Sequence, residues 1–567
     1  MGERVHAVRN GLFCALLVLL CILIAHPVAE IGLMDDWSYV WSAQMFARTG
    51  HIVYAWASPI LGWQILLGAL FIKLFGFSFT VVRASLLPVA LLSVYLFHAV
   101  LLRFGVTHRN AVLGTLTLCL SPLFLPLAAS FMNDVPGLFC ILLCLYLCQR
   151  SIAASSARTT ILWLCLASSS NVLLGTTRQI AWLGALVIVP SAAWLLRNRR
   201  GVLPAAALLW TASAACIDAC VRWFARQPGS LHEPLFKAAP KDTSHPVLYL
   251  IFAFLGALLL LLLLVYPVLA AWLPQSRNLS RPAWARLAAT AVLFSLFAWR
   301  LQWVMPWLFY VLILEFDASR PGPLLGGSVH ALPWPLWLRI LLSLLVVLTA
   351  QFMVEHLLSR PWSFSSSSRA ASTPQWRHVL WLTGPFAAIY TALLIPRAIS
   401  NVISDRYLLD LMPVAILFLL LLYQQWVAPN LPAASIAALT IFALFAIAGT
   451  HDWYAAYRAR VAAINEVRAS GVPRTEIQGG FEYDDWTQLE QTGRIDSQVG
   501  NSQPPGPGDC WYYYASYAPA VHPRFTVLFP GTACATPSQY PPVTYQAWLP
   551  PFHRQIDVEK LPNSTDR

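Results

Sequence analysis

Charge is scarce in this sequence. Only 11% of its 567 residues are Asp, Glu, Lys or Arg, against about 25% in an ordinary soluble domain. With 58% hydrophobic residues and a mean hydropathy of +0.61, a globular surface would have little to offer water, so a soluble globular protein is excluded. The bilayer is the solvent that suits such a chain. Clustered basic residues are also missing. The net charge of +12 is scattered over short connections between apolar runs, which is the positive-inside pattern and not a nucleic-acid groove. Polar cysteine is scarce too. Nine of the eleven cysteines (Cys14, Cys21, Cys119, Cys140, Cys144, Cys148, Cys165, Cys216, Cys220) sit in apolar runs as small hydrophobic residues. Only Cys510 and Cys534 lie in the polar tail, where an extracytoplasmic location would make them candidates for a disulfide.

What is present is a series of apolar runs. Spans are expected near 11–29, 80–101, 111–129, 135–149, 160–177, 180–196, 201–221, 246–272, 287–304, 334–355, 379–396, 407–427 and 432–450. This predicts a polytopic α-helical membrane protein of about thirteen transmembrane helices. The transmembrane domain covers 1–450, and a small C-terminal α/β extracytoplasmic domain covers 451–567. The first run follows the basic Met1–Asn10. Pro27 occupies the −3 position of the one obvious cleavage site, so the run reads as a signal anchor with its N-terminus inside; a cleaved signal peptide is the alternative.

The apolar stretch Pro59–Phe77 tests this count. If it does not cross, the inside loops carry Arg103 and Arg109, then Arg150 and Arg158, then Arg197, Arg199 and Arg200, then Arg277, Arg281 and Arg286, and last Arg360, Arg369 and Arg377. If it did cross, all of them would lie outside, against the insertion bias. The stretch is therefore expected to lie along or dip into the outer interface, with Lys73 snorkelling. The segments 30–79, 222–245, 305–333 and the tail from His451 then face outward, while Ser363–Ser368 is an inside connector.

The outer loop 30–79 opens with Asp35-Asp36-Trp37. Behind it Trp37, Val40, Trp41 and Met45 share one helical face, closed by Gly50, which predicts an amphipathic helix on the outer membrane surface. One of the two acids can cap that helix, but a cap needs only one. Asp134 stands in a second outer turn, Asn133-Asp134-Val135-Pro136, a good helix start in its own right. A third turn holds Asp405-Arg406-Tyr407 and then Asp410, where an interfacial Asp–Arg pair is the simpler account. Arg83 and Arg178 lie at outer ends of spans, against the positive-inside bias, facing an anion that is either a ligand or a lipid headgroup. The middles of the spans hold almost no ionisable residues: Asp218, Arg300, Arg339 and Asp410 each lie near an outer end. That scarcity argues against a transporter and for chemistry at the outer interface.

In the tail, Tyr454, Tyr457, Val461, Ile464 and Val467 share a helical face stopped by Gly471. Glu476–Gln478 and Phe525–Phe529 read as strands. The aromatics Trp511, Tyr512, Tyr513 and Tyr514 either stack on a sugar or pack the tail's own core.

The order of these features resembles the GT-C superfamily of membrane glycosyltransferases, in particular the protein O-mannosyltransferases and lipid A aminoarabinose transferases. It runs from one span to the acidic pair Asp35-Asp36, then Pro59…Gly62-Trp63…Lys73-Leu74-Phe75-Gly76, Arg83, the Asn133–Pro136 turn and Asp405-Arg406-Tyr407-Leu408. Residues 10–200 carry most of it and 378–430 the rest, while Gly479–Tyr483 looks like the tail of uncharacterised bacterial members. The resemblance implies transfer, with inversion, of a hexose or pentose from a polyprenyl-phosphate donor to an acceptor hydroxyl on a lipid, glycan or protein. The site would lie at the outer face of a bacterial inner membrane, among membrane lipids and without nucleic acid. It implies Asp35, Asp36 and Asp134 as catalytic acids, with Asp35 the candidate general base. Arg83, Arg178 and Arg406 would bind the donor phosphate. A divalent cation, optional in such enzymes, would take Asp35, Asp36 and Asp134 as oxygen ligands. Where the aminoarabinose branch has Lys before the proline, this chain has Ser58, so that sugar is not specified. Two alternatives stay open: a polymerase or ligase of lipid-linked glycans, and a non-enzymatic carrier or flippase for lipid-linked sugars.

Overall fold

The computed structural model describes residues 2–55, 61–230, 246–278, 280–301, 335–359, 376–400, 403–495, 517–530 and 536–561. Ser58, the Ser363–Ser368 connector, Cys510, Cys534 and the aromatics 511–514 lie outside these residues, as does the whole of 305–333. Among the described residues, nine helices are long and apolar enough to cross a membrane, or ten if Leu250–Leu264 and Tyr266–Pro274, bent by 72°, form one span. Among the described residues the thirteen expected runs fall largely on helix, but several, 246–272 included, do so in pieces or in short form. The run at 111–129 divides into His108–Cys119 and Phe124–Ala128. Pro122 and Pro126 each lack an N–H for the ladder, and the Ser121 hydroxyl accepts from the Phe124 amide across the break, at 3.0 Å. The runs at 180–196 and 407–427 appear as the shorter apolar helices Gln179–Leu195 and Met412–Trp426.

Helix surfaces show which solvent they meet. On the first helix Leu12, Leu16, Leu20 and Leu23 are exposed, while Cys14, Val18 and Ile22 are buried. Exposed large apolar side chains recur on other helices at Leu293, Leu296, Ile441 and Leu444, an apolar exterior that fits a bilayer and not water. The loop ends are sorted as well. Gln424 accepts from the Thr107 amide at 2.9 Å, and Asn110 bonds Gln424 and the Pro429 carbonyl. Arg199 reaches the Ala154 carbonyl and Thr160. Loops expected inside are thus bonded to one another in pairs.

Trp63–Phe75 is a helix of 13 residues, about 20 Å long, too short for a 30 Å hydrocarbon core. Its Leu66, Leu70 and Leu74 point outward and its Gln64, Ile65, Gly68 and Ala69 inward, as a half-sunk interfacial helix requires. The Asp36–Thr49 helix forms as expected and ends at Gly50 with φ +75, but its aromatic stripe does not face lipid. Trp37, Val40 and Trp41 are buried. Trp37 meets Phe481 edge-to-face at 5.5 Å, and Trp41 meets Trp486 at 5.2 Å, both from the tail helix Phe481–Thr492. Burial against protein adds directed ring contacts worth about 0.5–1.5 kcal/mol each that lipid chains do not offer.

The helix Ala433–Ala469 has 37 residues, about 55 Å, with no proline to break it. It carries the chain from the membrane into the tail, so the division expected at 450 falls inside one continuous helix. Tyr454, Tyr457, Ile464 and Val467 are buried against the tail and its neighbours, as their shared face predicts. The tail's sheet contains β1 (Ile477–Gln478), β2 (Phe525–Leu528), β3 (Thr536–Pro537), β4 (Val543–Gln546) and β5 (His553–Lys560). β1 pairs with β2 in parallel, Ile477 opposite Phe525, and β5 pairs antiparallel with β2, β3 and β4. Asp452, on the long helix, accepts from the Trp548 and Leu549 amides at 2.6 and 2.9 Å and fastens this sheet to the membrane domain.

Candidate functional site

At the tail-bearing end of the bundle, three turns far apart in sequence are stitched together. Gln64 donates to the Phe131 carbonyl at 2.7 Å and accepts from Thr177 at 2.5 Å. Trp63 donates to the Leu174 carbonyl at 2.6 Å, and the Gly62 amide to the Thr176 carbonyl at 2.7 Å. A Cβ on Gly62 would stand 2.5 Å from the Thr176 hydroxyl, so only glycine allows this approach. The Gly62-Trp63-Gln64 segment therefore sets the turn before Asp134 against the turn that carries Arg178.

Asp134 is the first residue of the Asp134–Ile152 helix, where an acid suits the positive end of the helix dipole. Pro136 costs nothing there, since first-turn amides have no intrahelical partner. Arg178 sits extended, φ −155 and ψ 121, between two short 3₁₀ turns. Its Nη1 is 2.9 Å from Asp134 and 3.6 Å from Asp410. Gly137 leaves room for it: a Cβ there would be 3.0 Å from the Arg178 Cδ. Arg406 follows Asp405, whose carboxylate accepts the Arg406 amide at 2.7 Å and shapes the turn. The guanidinium itself reaches across the chain, to Asp35 at 3.5 Å and Asp134 at 3.7 Å. The guanidinium thus pairs with residues hundreds of positions away.

Asp35, Asp134, Asp410, Arg178 and Arg406 form one cluster, two guanidiniums against three carboxylates. Side-chain exposure rises from 0% at Asp410 and 2% at Asp134 through 11% at Arg178 and 17% at Arg406 to 27% at Asp35. Asp134 is bracketed by both arginines; Asp35 is the most open acid of the cluster. Withdrawal from water raises the Asp35 pKa above the usual carboxylate value. Arg406 opposes that rise, and Asp134 and Glu482 add to it. Tyr39, one turn along the same helix, is buried beside Asp35, and its phenol is held well above its ordinary value, by burial first and by the neighbouring carboxylate second. The Arg406 Nε is buried with no hydrogen-bond acceptor among the described residues, so one directed donor of the cluster is unused. Asp410 also accepts from the Tyr390 hydroxyl at 3.2 Å.

Asp36 and Arg83 stand apart from this cluster as a pair. Arg83 Nε lies 2.8 Å from Asp36, and its other nitrogens donate to the Ala29 and Ile31 carbonyls at 2.7 and 2.5 Å. Asp36 also accepts from the Leu33 amide at 2.6 Å and the Phe131 amide at 3.3 Å. Both side chains are almost wholly buried, at 2% and 0% exposure. The trio Asp35, Asp36 and Asp134 does not assemble as a metal site: Asp36 spends its oxygens on Arg83 and backbone amides. No group of three His, Cys, Asp or Glu side chains among the described residues is arranged to hold a metal ion.

The turn before Asp35 is unusual. Met34 has φ +52, the left-handed region that costs a non-glycine residue about 1–2 kcal/mol. Its amide donates to Glu482 of the tail helix at 3.0 Å. Asp35 precedes the helix without capping it through its side chain, which leaves the carboxylate free to face Arg406. Sequence reasoning named Asp410 without giving it a role and missed Tyr39 and Glu482. The spacing of four from Asp35 to Tyr39 was a legible sign; nothing local pointed to Glu482.

Fold and site together define a multi-pass helical membrane protein with an arginine–carboxylate cluster at one end of its bundle. No family model matches the chain, and no curated protein matches it. Solved structures do. ArnT from Cupriavidus metallidurans in the apo state is 13% identical, with 96% of this chain and 97% of that one covered and a TM-score of 0.42. The same protein bound to undecaprenyl phosphate gives 13%, 97%, 98% and 0.41. The archaeal oligosaccharyltransferase AglB from Archaeoglobus fulgidus is 13% identical over 90% of this chain and 64% of its own, with a TM-score of 0.35. The yeast protein O-mannosyltransferase Pmt1–Pmt2 complex, from S. cerevisiae, is 14% identical over 40% and 33%, with a TM-score of 0.33. The chain thus spans about a third of the yeast chain it matches and under two thirds of the archaeal one.

Proposed function

We propose that the chain transfers a sugar from a polyprenyl-phosphate donor to an acceptor hydroxyl at the extracytoplasmic face of a bacterial inner membrane, with Asp35 as general base. The observation that carries this reading is one partly open carboxylate, Asp35, paired with Arg406 in a cluster that also holds Arg178 at one end of a lipid-facing bundle. Attack on the anomeric carbon releases an acceptor proton and leaves a lipid phosphate with added negative charge. Asp35, the least buried acid of the cluster, is positioned to take the proton. Arg406, with its unused Nε–H, and Arg178 supply the positive charge for the leaving phosphate. Asp134 and Asp410 hold these guanidiniums in place between turnovers. Asp36 and Arg83 fall outside this chemistry and brace the loop instead.

The test uses membrane vesicles containing the chain and radiolabelled monomeric polyprenyl-phosphate sugar. Transfer with release of polyprenyl phosphate is expected, and Arg406→Gln should lower it by about 10²–10³-fold. Growth of lipid-linked oligomers would point to a polymerase, and movement of donor across the bilayer without product to a carrier; either overturns the reading. The base must be ionised, and its pKa is raised, so activity should fall with decreasing pH at values above the ordinary carboxylate range. A pH–rate profile, flat through that range in Asp35→Glu or wild type, would remove Asp35 from the role.

A further inference from the structure

We infer that Glu482, delivered by the C-terminal module, is a positioning residue that clamps the left-handed Met34 turn and thereby aims Asp35 at the site. The inference rests on Asp35 being the base. Glu482 is buried and its two oxygens divide the task. Oε1 accepts from the Met34 amide at 3.0 Å and from the Tyr457 hydroxyl at 2.7 Å; Oε2 meets Arg460 Nη1 at 2.8 Å. Arg460 is itself buried and donates through Nε to the Gly479 carbonyl, so the carboxylate is fixed from the long helix and from the start of its own helix. Gly32 lets the turn lie this close: a Cβ there would stand 2.3 Å from the Trp37 Cβ and 3.1 Å from the Glu482 Cβ. The Trp37–Phe481 and Trp41–Trp486 contacts press the same two helices together on either side of the clamp.

Met34 adopts φ +52 with a side chain that disfavours it, so the turn needs an outside partner to persist. The Met34 amide donates to Glu482, on an element 448 residues away. Releasing that bond frees the residue immediately before Asp35 to return to ordinary backbone angles, which swings the carboxylate away from Arg406. A misplacement of about 1 Å at a reacting group costs on the order of a hundredfold in rate. The C-terminal module is thus part of the catalytic geometry although no atom of it needs to touch substrate.

The experiment compares full-length variants in the vesicle assay and follows amide exchange over residues 33–36. Glu482→Ala should lower kcat about a hundredfold with a donor KM within about threefold of wild type, and should speed exchange of the Met34 amide. Adding Met34→Gly to Glu482→Ala should restore at least about tenfold, because glycine holds the left-handed turn without help. A purely structural loss in the tail would not be rescued by a change at 34. Wild-type kcat in Glu482→Ala while Asp35→Asn is inactive, or no rescue by Met34→Gly, overturns the inference. If Asp35→Asn keeps its turnover, the functional reading fails separately, and unchanged Met34 exchange in Glu482→Ala then overturns the clamp itself. Should Glu482→Ala fail to fold, Glu482→Gln decides. It keeps an acceptor for the amide and removes the charge, so kcat should stay within about tenfold while the acid limb moves to lower pH. A stationary limb overturns the coupling.

Discussion

Asp35→Asn is expected to lower sugar transfer by about 10²–10⁴-fold while the protein inserts and folds as before. Asparagine has the same shape and still offers an oxygen to Arg406, 3.5 Å away, so the cluster keeps its packing. What it loses is the ability to take a proton. The folding cost should be small, because Asp35 is the most exposed acid of the cluster and its ionised form is already disfavoured by its surroundings. Donor binding should persist, since the arginines remain. The measurements are kcat, donor KM and thermal stability in detergent. Turnover within threefold of wild type would sink the assignment of the base. Asp134→Asn makes the useful contrast: its carboxylate balances two arginines, so it should disturb donor affinity as well as rate.

Arg83→Met is expected to act on folding and not on donor affinity. The substitution leaves the fully buried Asp36 carboxylate without its cation and strips the Ala29 and Ile31 carbonyls of their donors. Breaking a buried pair from one side costs about 3–5 kcal/mol, a factor on the order of 10²–10³ or more in the folding equilibrium. Removing both partners, as in Arg83→Met with Asp36→Leu, should recover part of that loss, because no uncompensated charge then stays buried. A phosphate-binding Arg83 behaves otherwise: Arg83→Met would fold normally and raise the donor KM. Thermal unfolding and donor titration of the single and double variants separate the two outcomes, and a stable Arg83→Met would refute the brace.

Much of the architecture was legible because the signals are local. A run of apolar residues needs a bilayer wherever it packs. Charge parity set Pro59–Phe77 apart from the expected spans, and within it Trp63–Phe75 forms a helix of 13 residues. The broken run at 111–129 was less legible, since Pro122 and Pro126 were read as part of an apolar stretch when they interrupt the ladder. The aromatic stripe of Trp37 and Trp41 gave the right helix face and the wrong neighbour. Amphipathicity says only that a face seeks apolar company, and lipid and a protein helix satisfy it equally in sequence.

By itself, the sequence determined that this chain lives in a membrane, that its acids and its misplaced arginines gather at one set of loops, and that its tail mixes helix and strand. These follow from residue type and spacing alone. Tertiary structure decided which of two adjacent acids meets the arginines. Asp35 and Asp36 are equivalent in sequence, but successive side chains on a helix start point about 100° apart. The left-handed Met34 turn, Arg83 from 47 residues on and Glu482 from 448 residues on decide which one faces inward and which faces the site. Contacts across such separations depend on the packing of whole helices, and no local pattern encodes them.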